Sequence, residues 1–280
     1  MDVVASRHPA EIARMQQAAG SLAGFFGSVV PAELVDVPSI ALDRSLRRFL
    51  GRHGLQSALL GYRGYPAHCS VSPNDVAVHG IPSARRLCRG DVFTVDIAAA
   101  GGGWLTDSAW TFLMPGAPRR SEDEYRAAWC AFQAVVAAIE PGLTLEDVAS
   151  IAEDTAADHG LATVPEFTGH GIGRQLHEAP VIPFARSAVA KSSRAREIRL
   201  LPGMVFNVEP VYRPTEGASS GVVLDGNGWA YRTGDGARTY HFELTIAMVE
   251  PEPLVLQLGE PVSRALRWRD PQDVLRVRPD

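Results

Sequence analysis

Residues 9 to 27, PAEIARMQQAAGSLAGFFG, open with proline and an acid and then repeat apolar side chains at helical spacing, which predicts a first helix. A second is expected from Ile40 to His53. The chain then becomes dense in Gly, Pro and aromatics through LLGYRGYPAHCSVSPNDVAVHGIP, a strand-and-loop segment with a short apolar strand near Cys69 and Val71. Asp91 to Ala98 and Trp104 to Met114 read as two strands of a hairpin closed by GGG at 101 to 103. Helical periodicity returns from 121 to 139 and stops at Pro141-Gly142. It resumes behind a Thr144 cap followed by Glu146 and Asp147, running to about His159. Strands come next near 164 to 173, 204 to 211, 221 to 232 and 240 to 249. Two successive blocks of strands and helices predict an α+β protein with a curved antiparallel sheet covered by helices on one side. The stretch Phe184 to Arg199, rich in basic and small polar residues, is expected to be an exposed loop, and the tail after Pro261 a solvated extension.

Five positions break this pattern. Asp96 in TVDIA, Asp107 in LTDSAW, Glu209 in FNVEP and Glu243 in FELTIA put carboxylates inside otherwise apolar strand-like runs, and His170 sits in the glycine-rich GHGIG. Burying an ionised carboxylate is costly unless it is paired or holds a cation, and few Lys or Arg lie near these acids in sequence. Antiparallel pairing across the GGG turn brings Asp96 and Asp107 close, where two like charges destabilise the sheet unless a cation lies between them. The glycines around His170 let a ligand approach the backbone closely. Four carboxylates and one imidazole form a hard, oxygen-rich donor set that suits two divalent ions from the manganese, iron, cobalt or zinc group, and two such ions activate water for hydrolysis.

Composition narrows the classes. At 280 residues and 46% hydrophobic, the chain is long enough for a substantial core. A formal net charge of −5 gives no general attraction to nucleic acid or to an anionic membrane. The apolar runs are too short to span a bilayer. Three scattered cysteines, Cys69, Cys88 and Cys130, without a CxxC spacing, argue against a disulfide framework and a thiolate zinc site. With early charges and no apolar signal core at the N-terminus, the expected location is cytoplasmic.

Motif by motif, the chain resembles the type I, bacterial-style methionine aminopeptidases of the pita-bread metallopeptidase family. The resemblance is carried by GYRGYP at 61 to 66, VSPNDVAVHGIP at 71 to 82, RGDVFTVDIA at 89 to 98 and LTDSAWTF at 105 to 112. It continues through GHGIGRQLHEAP at 169 to 180, LLPGMVFNVEPV at 200 to 211 and FELTIA at 242 to 247. It implies the pita-bread fold, with two pseudo-symmetric α+β halves, a catalytic domain over 1–250 and an extension over 251–280. It implies that Asp96, Asp107, His170, Glu209 and Glu243 hold two divalent ions (Co, Mn, Fe or Zn), with Glu209 also acting as general base. It further implies that His79 and His177 handle protons and hydrogen-bond the substrate, and that Tyr62, Tyr65 and Trp229 line the pocket for the methionine thioether. The implied substrate is the N-terminal methionine of a peptide or nascent chain, the implied form is a monomer, and docking on the ribosome is a further possible partnership. Leu59, Leu176 and Leu244 depart from the residues that many members carry there, and these departures are expected to reshape the side-chain pocket. Two alternatives remain at this point: a related X-Pro peptidase, and a non-catalytic binding paralogue of the same fold.

Overall fold

The hairpin expected around GGG is the spine of the first half. The computed structural model describes residues 4–189, 194–216, 218 and 221–265. In it, strands β1 (Val92–Gly101) and β2 (Trp104–Leu113) pair without interruption from Val92 opposite Leu113 to Gly101 opposite Trp104. Gly102 and Gly103 close the turn at φ 59° and 80°. Two successive left-handed residues match the twist of a two-residue hairpin, and glycine adopts them without strain. One face of the hairpin buries Val95, Ile97, Trp110 and Phe112 completely or nearly so. Ser70–Pro73 and Gln56–Ser57 pair along the other side of β1.

Helix α1 (Pro9–Gly27) begins with a capping box between His8 and Glu11 and buries Ile12, Met15, Leu22, Phe25 and Phe26. Helix α2 covers Ile40–Arg52 and α3 Arg119–Ala137. Helix α4 (Leu145–Asp158) starts at the expected Thr144, whose hydroxyl and the Asp147 carboxylate cap one another's backbone. The centre of the core is aromatic: Phe242 packs against Trp110, Tyr125, Trp129 and Phe132, with ring centroids 5.2 to 5.8 Å apart.

The second half is a six-stranded antiparallel sheet. Strands β3 (Thr168–Gly171), β4 (Glu178–Pro183), β5 (Val205–Val208) and β6 (Leu244–Ala247) lie in the order β4-β3-β5-β6, followed by Leu254–Val255 and Glu260–Pro261. The segment after residue 250 therefore adds two strands to this sheet. The α+β reading with antiparallel sheets holds. Among the described residues no helix is long and apolar enough to cross a membrane.

Three local expectations change. The strands expected over 204 to 211 and 240 to 249 are each broken, at Glu209-Pro210 and at Phe242-Glu243. They resume as Val211–Pro214 paired with Tyr240–His241. Proline cannot donate to a ladder, so the first break has a chemical cause. The stretch from Phe184 to Arg199 is not a free loop in its described parts. It forms a short helix, α5 (Arg186–Val189), fully buries Ala195, and ties Arg186 to Glu153 and Asp154 and Arg196 to Glu146. Residues 190–193 and the tail from 266 lie outside the described residues.

Candidate metal centre

The β1–β2 ladder pairs Asp96 with Ala109 and Ala98 with Asp107, so the two aspartates occupy diagonal positions on one face. Their carboxyls are hydrogen-bonded to each other, and burial pushes both above the usual carboxylate range. Without a cation the pair holds a proton between them.

Glu209 and Glu243 arrive from the two broken strands. Val208 is opposite Leu244 and Val211 is opposite His241, which leaves Glu209, Pro210, Phe242 and Glu243 unpaired between these rungs. The Glu243 amide donates to the Ala109 carbonyl at 2.9 Å, which fastens this break to β2 beside Asp107. Burial raises the pKa of both glutamates well above the ordinary value, and the charge of Asp107 raises it further. One oxygen of each glutamate is buried with no hydrogen-bond partner.

His170 comes from β3. Its Nδ1–H donates to the Gly171 carbonyl at 3.0 Å, which leaves Nε2 with its lone pair directed at Glu209, 3.4 Å away. Burial pulls its pKa down to about 4. The glycines beside it are structural requirements: a Cβ on Gly169 would lie 2.3 Å from the Asn207 carbonyl, and one on Gly171 2.3 Å from that of Ala179.

Donor atoms of Asp107, His170 and Glu243 lie within 4.8 Å of one another, and those of Glu209, His241 and Glu243 form a second such group that shares Glu243. Asp96 belongs to neither group and reaches the first through Asp107. His241 is not among the residues expected from the sequence. It stands two positions before Glu243, the spacing that puts two side chains on one strand face, and this is the signal that YHFEL offers. Burial drives its pKa to about 3, and its Nε2 has no hydrogen-bond partner. Neutral imidazoles, protonated or orphaned acids and oxygen-rich donors are what a site built around divalent cations leaves when they are removed, so these residues fit such ions.

A network of hydrogen bonds behind the donors holds them in place. Gln257 Nε2 donates to the Asp107 carbonyl at 3.0 Å and to Ser108 Oγ at 2.8 Å, while Gln257 Oε1 accepts from the Thr245 amide. The Thr245 hydroxyl lies 2.9 Å from Asn207 Oδ1. Thr111 Oγ1 accepts from the His241 amide at 2.8 Å. Gln257 and Thr111 belong to no metal-binding motif of their own, and only the folded chain brings them to the site.

Asp96, His170, Glu209 and His241 line a cleft of 1290 Å³ whose walls include His79 and His177. His79 is exposed to the cleft at φ 57°, a strained setting for a side-chain-bearing residue. Tyr65 explains how it is held: its buried hydroxyl donates to the Gly80 and Cys69 carbonyls, bracing the loop from beneath. His177 packs tilted against His170, with ring centroids 4.1 Å apart, and its Nδ1 is 2.8 Å from the Tyr62 hydroxyl. Of the expected pocket residues, Tyr62 thus touches the site directly. Trp229 packs edge-on against Tyr65, and Leu176 is buried in a cluster with Ile12, Met15 and Trp104, against which Leu59 also packs. None of Leu59, Tyr62, Tyr65, Leu176 or Trp229 lines the cleft itself, and Tyr62 reaches it through His177.

Known proteins share this architecture and sequence. The model of metallopeptidase family M24 matches residues 13–250. Methionine aminopeptidase 1 of Mycobacterium tuberculosis is 34% identical over 92% of this chain and 96% of its own length, and methionine aminopeptidase A of Synechocystis is 32% identical over 89% and 96%. The crystal structure of the Thermotoga maritima methionine aminopeptidase superposes with a TM-score of 0.83 at 27% identity, covering 91% of this chain and 99% of that one. The fold is the pita-bread fold, and the chain belongs to metallopeptidase family M24.

Proposed function

We propose that this chain removes the N-terminal methionine from peptides and nascent proteins by metal-dependent hydrolysis. The observation that carries the reading is the pair of donor groups sharing the buried Glu243, of which His170, Glu209 and His241 open onto one cleft that His79 and His177 also line. Coverage of nearly the full length of methionine aminopeptidases supports the substrate class. In this reading two divalent ions are held by Asp96, Asp107, His170, Glu209 and Glu243, with His241 beside them.

Such ions, when bound, supply Lewis acidity toward a peptide carbonyl and lower the pKa of water. The chain's own groups do the rest. Glu209, whose orphaned oxygen faces His170, receives a proton at its carboxylate as water adds to the carbonyl. The Tyr62 hydroxyl, donating to His177 Nδ1, fixes the tautomer that carries its proton on Nε2, and this N–H donates to the oxygen on which charge develops. His177 is kept neutral by burial and by the nearby Arg63 cation, so it acts as a donor without being a full charge. His79, exposed to the cleft yet desolvated enough by its walls to lower its pKa to about 4, stands beside the leaving nitrogen, which takes the proton from Glu209 as the C–N bond breaks. The site histidines are therefore uncharged at neutral pH and offer lone pairs rather than positive charge.

The test is release of free methionine from a Met-Ala-Ser peptide, compared with an X-Pro peptide, by protein stripped of metal and then supplied with manganese or cobalt. Methionine release that depends on added metal is expected. Cleavage of the X-Pro peptide in its place identifies the other peptidase, and inactivity on both by protein that retains no metal identifies a binding paralogue.

A further inference from the structure

The residues ahead of α1, Val4 to His8, form neither helix nor strand, yet they are held against the second half of the molecule. The Arg7 amide donates to the Gly203 carbonyl at 2.7 Å. A Cβ on Gly203 would collide with the Ser6 hydroxyl, and one on Gly173 with the Arg7 guanidinium, so two glycines leave this arm its room. Ala5 and Arg7 reach the cleft and form part of its wall. Arg7 nevertheless lies outside residues 13–250, the stretch that matches the family model, and none of the sequence motifs includes it.

The Arg7 guanidinium forms an ion pair with Glu178, both side chains being largely shielded from water, and lies 5.3 Å from the centre of the Trp104 ring. Among the described residues Glu178 has no other ion-pair partner. The Arg174 guanidinium turns the other way, to the Gly103 carbonyl at 2.9 Å and over Trp104. Glu178 directly follows His177. One of its oxygens takes Arg7, while the other accepts from the Arg174 amide at 2.7 Å and from the Gln175 amide at 2.9 Å. The carboxylate thus closes the turn between β3 and β4 on itself, with His177 inside the closed segment. A shielded carboxylate keeps such a place only when its charge is met, and the hydrogen bonds of an ionised pair are the strong ones. Tyr62 fixes which nitrogen of His177 carries the proton, and the turn fixes where that nitrogen points.

We infer that Arg7 is a positioning residue: it holds the Glu178 carboxylate across the 174–178 turn and so aims the His177 imidazole at the oxygen on which charge develops. This rests on the aminopeptidase reading above, in which His177 is that donor. An interaction realised only in the transition state acts on kcat, so a misaimed His177 lowers kcat and leaves substrate binding as it was.

The experiment measures methionine release from a Met-Ala-Ser peptide by the full chain loaded with manganese. Arg7→Met keeps an aliphatic stem and removes the charge. It is expected to lower kcat by about ten- to 100-fold, the upper figure being the cost of a misplacement of about 1 Å, with KM and bound manganese as in wild type. Arg7→Lys, which restores a cation, recovers most of the loss. Glu178→Gln leaves the arm intact and is expected to give the same split, and it decides the matter if Arg7→Met does not fold. In a His177→Ala background, itself about 100- to 1000-fold slower for the missing donor, either change costs at most about two-fold, because the group that it aims is gone. Equal losses in both backgrounds, a loss confined to KM or to metal content, or wild-type kcat in the folded variants overturns the positioning role while wild type still releases methionine. A wild type that releases none overturns the parent reading and this role with it.

Discussion

The two halves of the molecule deliver their acids to the centre in different ways. Between Val92 and Leu113 the ladder runs through ten unbroken pairs, and Asp96 and Asp107 are aimed by the pleat alone. Between 205–214 and 240–247 both strands stop pairing at the same place, and Glu209 and Glu243 project from the break. An unbroken ladder orients a ligand cheaply, because every neighbouring residue enforces the same face. A double break gives up ladder hydrogen bonds, and it works here because Glu243 regains one from the Ala109 carbonyl of the intact hairpin. The intact half is a template for the interrupted one.

The sharpest way to strain this arrangement is Glu243→Gln, since Glu243 is shared by both donor groups. It should lower kcat/KM by at least 100-fold, the upper end of what disturbing a ligand's supporting groups costs, and lower bound metal measured by mass spectrometry. The same change should stabilise the metal-free protein, because it removes a buried acid that has no counter-ion. The pH dependence gives a second reading. His170 and His241, depressed to about 4 and about 3 by burial, contribute stability that is complete above their unfolded value of 6.5 and lost as pH falls toward the folded ones. The raised acids run oppositely: their contribution is present below the ordinary carboxylate range and lost as pH rises through the folded values. Above pH 6.5 the raised acids dominate, so metal-free wild type should lose stability as pH rises through about 7, where Asp96 titrates. Urea midpoints across that range should show a shallower slope in Glu243→Gln, and an equal slope would contradict the account.

Steric failure of the second half is expected from Gly169→Ala. A methyl group there meets the Asn207 carbonyl at 2.3 Å and the Phe184 ring at 3.0 Å, and both neighbours are core. The expected loss is about 3 kcal/mol or more, read as a fall in the urea midpoint without a change in its slope. A variant of native stability would mean that β3 and β5 can separate, and the rigid template idea would fail.

His241→Gln tests whether this unexpected histidine is a donor or a support. Either role predicts a 10- to 100-fold fall in metal affinity or activity, but only the donor role moves the metal-to-protein ratio at saturating metal. A variant with wild-type affinity would make His241 ordinary core.

Legibility in the sequence divides along the same line. The hairpin, its glycine turn, the first helix at Pro9–Gly27 and the Thr144 cap can be read from the chain because period and turn chemistry are local signals. The acids stand out because apolar neighbours make them anomalous. The breaks do not: Pro210 announces one, yet nothing in YHFELTIA announces that the partner strand breaks too, since a strand switching sheets keeps its apolar character. His241 is marked only by its two-residue spacing from Glu243, a weak signal inside so apolar a run. Tyr65, Leu59 and Leu176 are expected around the side-chain pocket from motif position, but their burial depends on α1 and the loop carrying His79, contacts that sequence spacing does not encode.

The smallest expected effect completes the comparison from the side of the intact half. Gly102 has φ 59° with open space where a Cβ would go, so Gly102→Ala imposes only the strain of a left-handed residue, about 1 to 2 kcal/mol. The next residue, Gly103, is less free: a Cβ there would come within 2.9 Å of the Arg174 guanidinium, which lies over Trp104. Thermal unfolding should register Gly102→Ala as a modest loss while the metal content stays that of wild type, because the turn is five rungs from the pair holding Asp96 and three from the pair holding Asp107. Loss of metal with so slight a change would show that the hairpin's aim depends on its turn and not on its rungs, and the contrast between an enforced half and an interrupted half would collapse.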